Sequence, residues 1–223
     1  MNLFGDTTTQ HETALPFPAA LTEKYRPRLI SEFVGLDKPK KLCAKLAATP
    51  FDSAWLFVGA SGTGKTTMAL ALAEMIPAEL HHIPSQECNL ETIERIRRTC
   101  QYVPRLGCKY HLVLVDEADQ MTNAAQVSLL SKLDSTNFPP NTIFIFTCNA
   151  TDRLEPRFLS RCRTVEFSSY GIAKDAAQLL ENVWNSEASP EAIAPNFARI
   201  VKESNNNIRE ALMKLETEIL LAD

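Results

Sequence analysis

The residues best suited to chemistry form a glycine-rich run at 59–66 with the pattern Gly-x-x-x-x-Gly-Lys-Thr. Its glycines let backbone N–H groups turn inward around phosphate oxygens, and the positive end of a following helix faces the same anion. We expect Lys65 to reach the β- and γ-phosphates of ATP and the Thr66 hydroxyl to hold Mg²⁺. The candidate phosphate-binding residues are Gly59, Ala60, Ser61, Gly62, Thr63, Gly64, Lys65, Thr66 and Thr67. The run therefore predicts ATP and Mg²⁺ as cofactors.

A second candidate lies where the apolar run 111–115 ends in two carboxylates, Asp116 and Glu117. Phosphoryl transfer depends on metal, positioning and charge neutralisation more than on covalent chemistry. We expect Asp116 to bind Mg²⁺ and Glu117 to polarise the attacking water. An acidic strand end alone is more often a solvated turn, so this prediction depends on the phosphate-binding run that precedes it.

Hydrophobic periodicity predicts the elements that must position these residues. Compact apolar runs indicate buried strands, and apolar residues at helical spacing indicate helices. The predicted strands are 55–58, 80–83, 111–115, 142–147 and 164–167, and the predicted helices among them are 31–33, 36–48, 64–76, 90–100 and 124–134. Because strands alternate with helices, we predict a parallel sheet covered by helices on both faces.

Strand signals stop near residue 168. Three helical patterns follow, at 171–185, 190–204 and 208–221. The first twenty residues show no period of either kind, which is typical of a mobile tail. The predicted organisation is a flexible tail at residues 1–20, an α/β domain at residues 21–168 and a small helical domain at residues 169–223.

The composition is that of an ordinary globular chain, with 223 residues, 45% of them hydrophobic, and a net charge of -4. A protein that relies on non-specific DNA affinity usually has a basic surplus, so DNA contact would need a local patch or several subunits. The six cysteines form no Cys-x-x-Cys pair and, with the histidines, no zinc spacing. This predicts free thiols in a reducing compartment. The lack of a signal pattern and of a long apolar stretch predicts a soluble, intracellular protein without membrane contact.

Several segments, in order, resemble those of AAA+ clamp-loader ATPases, which include the small subunits of replication factor C and the bacterial gamma/tau subunit. The matching segments are Glu23-Lys24-Tyr25-Arg26-Pro27, Phe33-Val34-Gly35, Asp116-Glu117-Ala118-Asp119-Gln120-Met121-Thr122, Thr147-Cys148-Asn149, Leu159-Ser160-Arg161-Cys162 and Asn207-Ile208-Arg209-Glu210-Ala211-Leu212. The resemblance covers residues 21–222. It implies an α/β fold of the P-loop NTPase (AAA+) type, a parallel sheet covered by helices and followed by an all-helical lid domain.

The resemblance also implies roles for individual side chains. Tyr25, Arg26, Pro27 and Val34 would line the adenine pocket, although Tyr25 is equally well read as simple packing. Asn149 would bind the γ-phosphate or the attacking water, unless it only caps a turn. Arg161 would be an arginine finger for a neighbouring subunit, unless it is a surface arginine paired with an acid. Arg209 would touch the γ-phosphate from the lid, unless it is an ordinary exposed arginine.

This sequence departs from the clamp-loader pattern in three places. The printed sequence ends where the family's helical collar domain would begin. The interval that holds a zinc-binding cysteine cluster in the gamma/tau subunit lacks that spacing, so the replication factor C type fits better. The run 129–132 reads Leu-Leu-Ser-Lys, where many relatives place paired arginines.

The resemblance implies partners as well: other AAA+ clamp-loader subunits, a sliding clamp and the backbone of primer–template DNA. Hydrolysis would depend on a neighbouring subunit, and the protein would serve DNA replication in the cytoplasm or nucleoid, or in a nucleus or viral replication complex. The densest basic stretch holds Arg95, Arg97, Arg98, Arg105 and Lys109 and is either a DNA-facing surface or a solvated helix face. Two alternatives stay open: an AAA+ remodeller in recombination or repair, and a structural clamp-loader subunit that does not hydrolyse ATP.

Overall fold

The computed structural model describes residues 19–134 and 136–222, so nearly all of the predicted tail lies outside the described residues. Its strands are β1 (Ser53–Val58), β2 (Ala78–Pro84), β3 (Tyr110–Asp116), β4 (Thr142–Cys148) and β5 (Arg163–Glu166). They form one sheet in the order β2-β3-β4-β1-β5, and every pairing is parallel. The predicted parallel sheet is confirmed.

The helices cover both faces of the sheet and then form a separate bundle. They are α1 (Leu21–Lys24), α2 (Asp37–Ala48), α3 (Lys65–Met75), α4 (Leu90–Thr99), α5 (Asn123–Lys132), α6 (Pro156–Leu159), α7 (Ala173–Glu187), α8 (Phe197–Glu203) and α9 (Ile208–Ala222), with 3-10 turns at Ile30–Glu32, Ser85–Glu87 and Ala118–Gln120. No helix of the described residues is both long enough and apolar enough to cross a membrane.

Two hydrophobic cores lie on opposite faces of the sheet because successive strand side chains point to opposite sides. On β3, Val113 and Val115 pack with helices α4 and α5. Leu112 and Leu114 pack on the other face, with helices α2 and α3. The sheet is thus buried on both sides, as its nearly continuous apolar strands predict.

A third core joins helices α7, α8 and α9 into the lid domain. Leu21 of α1 is buried in this core, so this helix packs on the lid although it precedes the sheet in sequence. The prediction of one helix over 190–204 is wrong in its start, since α8 begins at Phe197. Pro195 lacks a backbone N–H, and the Asn196 side chain caps the new helix by accepting a hydrogen bond from the Arg199 N–H.

The strand order decides which loops meet. Strand β4 lies between β1 and β3, so the carboxyl ends of these three strands are consecutive along one edge. Val58 is level with Cys148 in this register, and Val115 is level with Phe146. The segments that follow β1, β3 and β4 therefore share one crevice, the usual ligand position in an open parallel sheet.

Candidate functional site

The loop after β1 has the backbone that a phosphate cradle needs. Gly62 and Gly64 adopt φ values of 77° and 90°, a left-handed region that side chains other than glycine rarely enter. Gly59 is needed for space, because a Cβ there would lie 2.1 Å from the Phe167 carbonyl oxygen. Helix α3 begins directly afterwards, at Lys65, so its free N–H groups face the loop.

Lys65 lies at the centre of this loop and is 8% exposed. Its ammonium donates hydrogen bonds to the carbonyl oxygens of Gly59 (2.7 Å) and Ala60 (2.9 Å) and to Asn149 Oδ1 (3.2 Å). Burial lowers the pKa of Lys65, against the opposing effect of nearby acids such as Asp116. The fold thus brings the Lys65 ammonium into contact with the Asn149 side chain, although the two residues lie 84 positions apart.

Two hydroxyls hold the first carboxylate of the acid pair. Thr66 Oγ1 donates to Asp116 Oδ1 at 2.7 Å, and the Thr147 hydroxyl donates to the same oxygen. Carboxylate and hydroxyl oxygens are hard ligands of the kind that Mg²⁺ prefers. The donor set of Thr66 and Asp116 therefore fits the predicted metal.

Glu117 follows in an unusual backbone conformation, with φ at 53°. Such a left-handed turn is uncommon for a residue that is not glycine, and it is found disproportionately at functional sites. Thr147 Oγ1 accepts the Glu117 N–H at 3.0 Å, which ties the turn to strand β4. The side chain lines the same cavity as Lys65 and Asp116.

Two cavities lie side by side at this edge of the sheet. The smaller, about 110 Å³, is polar and is lined by Ser61, Gly62, Gly64, Lys65, Thr66, Thr67, Asp116, Glu117, Thr147, Cys148, Asn149 and Arg209. The larger, about 520 Å³, is lined by the predicted adenine-pocket residues Tyr25, Arg26, Pro27 and Val34, and by Thr63, Ile208, Leu212 and Met213 among others. Gly62, Gly64, Thr67 and Arg209 line both. A polar cavity joined to a more apolar one suits a molecule with an anionic end and an aromatic base.

The lid completes this cleft through Asn207, for which sequence reasoning predicted no role of its own, and through the predicted residue Arg209. Asn207 Nδ2 donates to the Ser61 carbonyl at 3.1 Å, and Asn207 Oδ1 caps α9 by accepting the Glu210 N–H at 3.2 Å. Arg209 follows two positions later and is thereby placed at both cavities. Asn207 belongs to the segment 207–212 that matches the family's lid motif, and this match was the only feature of the sequence that could have indicated a role for it.

Tyr25 and Arg26 connect the larger cavity to its surroundings. The Tyr25 hydroxyl donates to Glu187 of α7, and Lys24 forms an ion pair with the same carboxylate at 2.7 Å. These hydrogen bonds hold the pKa of Glu187 below its usual value. Arg26 Nε donates to Thr67 Oγ1 at 3.4 Å, beside the phosphate loop.

The structure does not bring Arg161 to the other predicted site residues of its own chain. Its guanidinium donates to the Arg157 carbonyl at 2.9 Å and lies 3.7 Å from Asp134 Oδ2. The residue follows the short helix α6 and is partly exposed. Its role as a finger for a neighbouring subunit stays a prediction.

Part of the basic stretch is neutralised within the chain. Arg97 pairs with Glu94 at 3.0 Å, and Glu94 also pairs with Lys132 at 2.9 Å. Arg95, Arg98 and Arg105 instead line a surface cleft of about 750 Å³. A role of this stretch in DNA binding stays a prediction.

The fold and the site together define a class. Residues 55–170, just over half of the chain, match the family described as "ATPase family associated with various cellular activities (AAA)". The chain belongs to this family, so the predicted AAA+ nucleotide-binding fold is confirmed.

Within the family, the chain is similar to subunits of replication factor C. It is 35% identical over 153 residues to replication factor C small subunit 1 of Pyrobaculum islandicum, covering 66% of this chain and 46% of that protein. It is 31% identical over 222 residues to replication factor C subunit 3 of Blastobotrys adeninivorans, covering 95% of this chain and 62% of that protein. The chain thus spans about half to three fifths of the length of these relatives.

The fold also matches solved structures. The Thermotoga maritima RuvB Holliday junction branch migration motor has a TM-score of 0.68 and 18% sequence identity, over 86% of this chain and 64% of that one. At this identity the likeness concerns the fold alone.

Proposed function

We propose that this chain is the ATP-hydrolysing AAA+ subunit of a clamp loader, which places a sliding clamp on primed DNA during replication. The observation that carries the proposal is the meeting of Lys65, Asp116, Glu117, Asn149 and Arg209 around one polar cavity. Similarity to replication factor C subunits supports the choice of clamp loading among the activities of the family. The structural likeness to a branch migration motor does not favour the alternative of a recombination factor, because it reflects the fold.

Each site residue has a different role in hydrolysis. Lys65 and the loop N–H groups bind phosphate oxygens, and Asn149 orients the terminal phosphate or the water beside it. Thr66 and Asp116 would hold Mg²⁺, which would supply positive charge to offset the negative charge of the phosphates. Glu117 accepts a hydrogen bond from the attacking water and aligns it.

Arg161 supplies the part of the site that a single chain lacks. A transition state with charge spread over the phosphoryl oxygens is stabilised by an arginine from a neighbouring subunit. Arg161 points away from its own cavity and is held by Arg157 and Asp134 on the surface. On this proposal it faces the cavity of the next subunit, and hydrolysis depends on assembly with other clamp-loader subunits.

ATP turnover, measured with and without a sliding clamp and primed DNA, tests this function. We expect both partners to raise turnover, and Lys65→Ala to lower it by on the order of a hundredfold, because the buried cation in the cradle is lost. The control variant is Lys41→Ala, since Lys41 is exposed on α2, away from the cavity. Turnover that neither clamp nor DNA raises would remove clamp loading and leave an ATPase of another branch. Wild type as inactive as Lys65→Ala under every condition would instead indicate a structural subunit.

A further inference from the structure

Three side chains that the nucleotide site does not use meet at the far edge of the sheet. They are His81 on β2, Cys100 directly after α4, and His111 on β3, and we call them the His–Cys cluster. Their ligand atoms all lie within 4.8 Å of one another. Cys100 is fully buried and His111 is 1% exposed. A thiol and two imidazoles from three separate elements thus converge in the protein interior.

The hydrogen bonds of His111 hold its ring in the orientation that a metal-ligating histidine has. Its Nε2 lies 3.0 Å from the Tyr102 carbonyl oxygen, which accepts only, so Nε2 carries the proton. The lone pair on Nδ1 therefore faces His81 Nε2, also 3.0 Å away. A backbone carbonyl that holds the outer N–H of a ligating histidine is a common arrangement around metals. Two nitrogens bound to one tetrahedral Zn²⁺ lie about 3.3 Å apart, close to the observed separation.

A carboxylate lies beside the cluster. Glu79 Oε2 lies 3.7 Å from His111 Nδ1 and is held in place by the Arg105 N–H at 2.9 Å. The Glu79 carboxylate and a thiolate at Cys100 together carry two negative charges, which balance a divalent cation despite the nearby Arg95. Glu79 and His111 also line the surface cleft beside Tyr102, so the cluster borders a space open to solvent.

We propose that the His–Cys cluster, with Glu79 as the fourth ligand, binds Zn²⁺. The ligand types exclude Mg²⁺ and Ca²⁺, which prefer oxygen, and suit zinc, which takes sulfur and nitrogen in a tetrahedral set. The site joins β2, the end of α4 and the start of β3, so it fixes both ends of the loop 101–109. The ligands are scattered along the sequence, and spacing rules for zinc therefore do not find them.

Zinc binding at this cluster releases a proton. Burial raises the pKa of the Cys100 thiol to about 12, so the metal-free protein carries S–H there. A zinc–sulfur bond forms as this proton leaves to solvent, and affinity therefore falls as the pH is lowered. Burial lowers the pKa of His81, opposed by Glu79 and aided by His111 and Arg95.

Titration of the nucleotide-free, chelator-treated protein with Co²⁺, a spectroscopic substitute for Zn²⁺, tests the proposal. We expect one Co²⁺ per chain, with visible d–d bands of a tetrahedral ion and a near-ultraviolet thiolate-to-cobalt band that Zn²⁺ abolishes. Cys100→Ser removes the thiolate band, whereas Cys88→Ser keeps it. Cys88 is a matched control because it is also a buried free thiol on the same face of the sheet.

A second variant keeps the test decisive if Cys100→Ser does not fold, as judged by circular dichroism. His81→Asn changes a partly exposed side chain, and we expect it to weaken Co²⁺ binding by at least about tenfold. The proposal is overturned if wild type shows no thiolate-to-cobalt band. It is also overturned if Cys100→Ser or His81→Asn binds as wild type does. In that case the histidines only hydrogen-bond strand β2 to β3.

Discussion

Thr147 is the residue on which the geometry of the acid pair depends. Its buried hydroxyl donates to Asp116 and accepts the N–H of Glu117. One side chain on β4 thus orients both the carboxylate predicted to bind the metal and the left-handed turn that carries the candidate base. Neither contact follows from the sequence, since both require that β4 lie beside β3.

We predict that Thr147→Val lowers ATP turnover and raises the Mg²⁺ concentration needed for half-maximal rate. The change keeps the shape of the side chain but leaves the Glu117 N–H without its acceptor, at a cost of about 1–3 kcal/mol. A cost of this size at the reacting centre corresponds to a fall of roughly tenfold to a hundredfold in rate. Steady-state turnover over a Mg²⁺ titration measures both effects.

Thr142→Val is the matched control for this substitution. Thr142 is a buried threonine at the other end of β4, and its hydroxyl donates to the Pro140 carbonyl at 2.9 Å. We expect a similar loss of thermal stability from both variants but a change in turnover only from Thr147→Val. Equal turnover in the two variants would contradict the role given to Thr147.

At the scale of elements, the start of helix α9 connects the lid to the phosphate loop. Asn207 caps the helix through its oxygen and contacts Ser61 through its amide nitrogen. The same turn places Arg209 at both cavities. We therefore predict that a ligand contacting both this turn and the loop would draw them together, because it would gain contacts on both sides of the cleft.

We predict that Asn207→Ser weakens ATP binding by roughly tenfold. Serine still caps the helix, but its shorter side chain does not reach the Ser61 carbonyl, a loss of about 1 kcal/mol or slightly more. Binding of a fluorescent ATP analogue measures the change. Asn196→Ser is the control, because Asn196 caps α8 in the same way without reaching the loop. If both variants bind ATP like wild type, the contact between Asn207 and Ser61 contributes nothing to the site.

Local sequence patterns predicted most elements and the parallel, helix-covered sheet, but not the order of its strands. The apolar run at 142–147 became strand Thr142–Cys148, because a fully buried strand needs only a continuous apolar segment. The predicted start of α8 was wrong. Apolar residues at helical spacing precede residue 195, but Pro195 and the capping residue Asn196 make the helix begin at Phe197. The motifs predicted which residues share the site, but strand order and the contacts of Thr147 and Asn207 are tertiary and leave no local signal.

At the scale of the whole molecule, the cleft lies between the sheet domain and the lid, and the chain crosses it twice. Leu21 is buried in the lid core, and Tyr25 bridges from the larger cavity to Glu187 of α7. Because Glu187 has a lowered pKa in the folded protein, this bridge contributes most above the unfolded pKa and is lost as the pH falls through the folded one. Arg161 is not among the residues that line this cleft, in keeping with its proposed role at the cavity of a neighbouring subunit.

The most direct test of the proposed shared site is a mixing experiment on an assembly in which copies of this chain neighbour one another. Glu117→Gln removes the base from a chain's own cavity, and Arg161→Ala removes the finger that serves the next one. Each variant is first assayed alone for ATP binding and for turnover. Arg199→Ala, which changes an exposed arginine of the lid, is the control.

The account predicts that each variant alone binds ATP and is nearly inactive, whereas an equal mixture regains turnover. Random assembly places an intact base opposite an intact finger at about a quarter of the interfaces, so about a quarter of wild-type turnover is expected. Full turnover by Arg161→Ala alone, or a mixture no more active than the sum of its parts, would contradict a site shared between subunits.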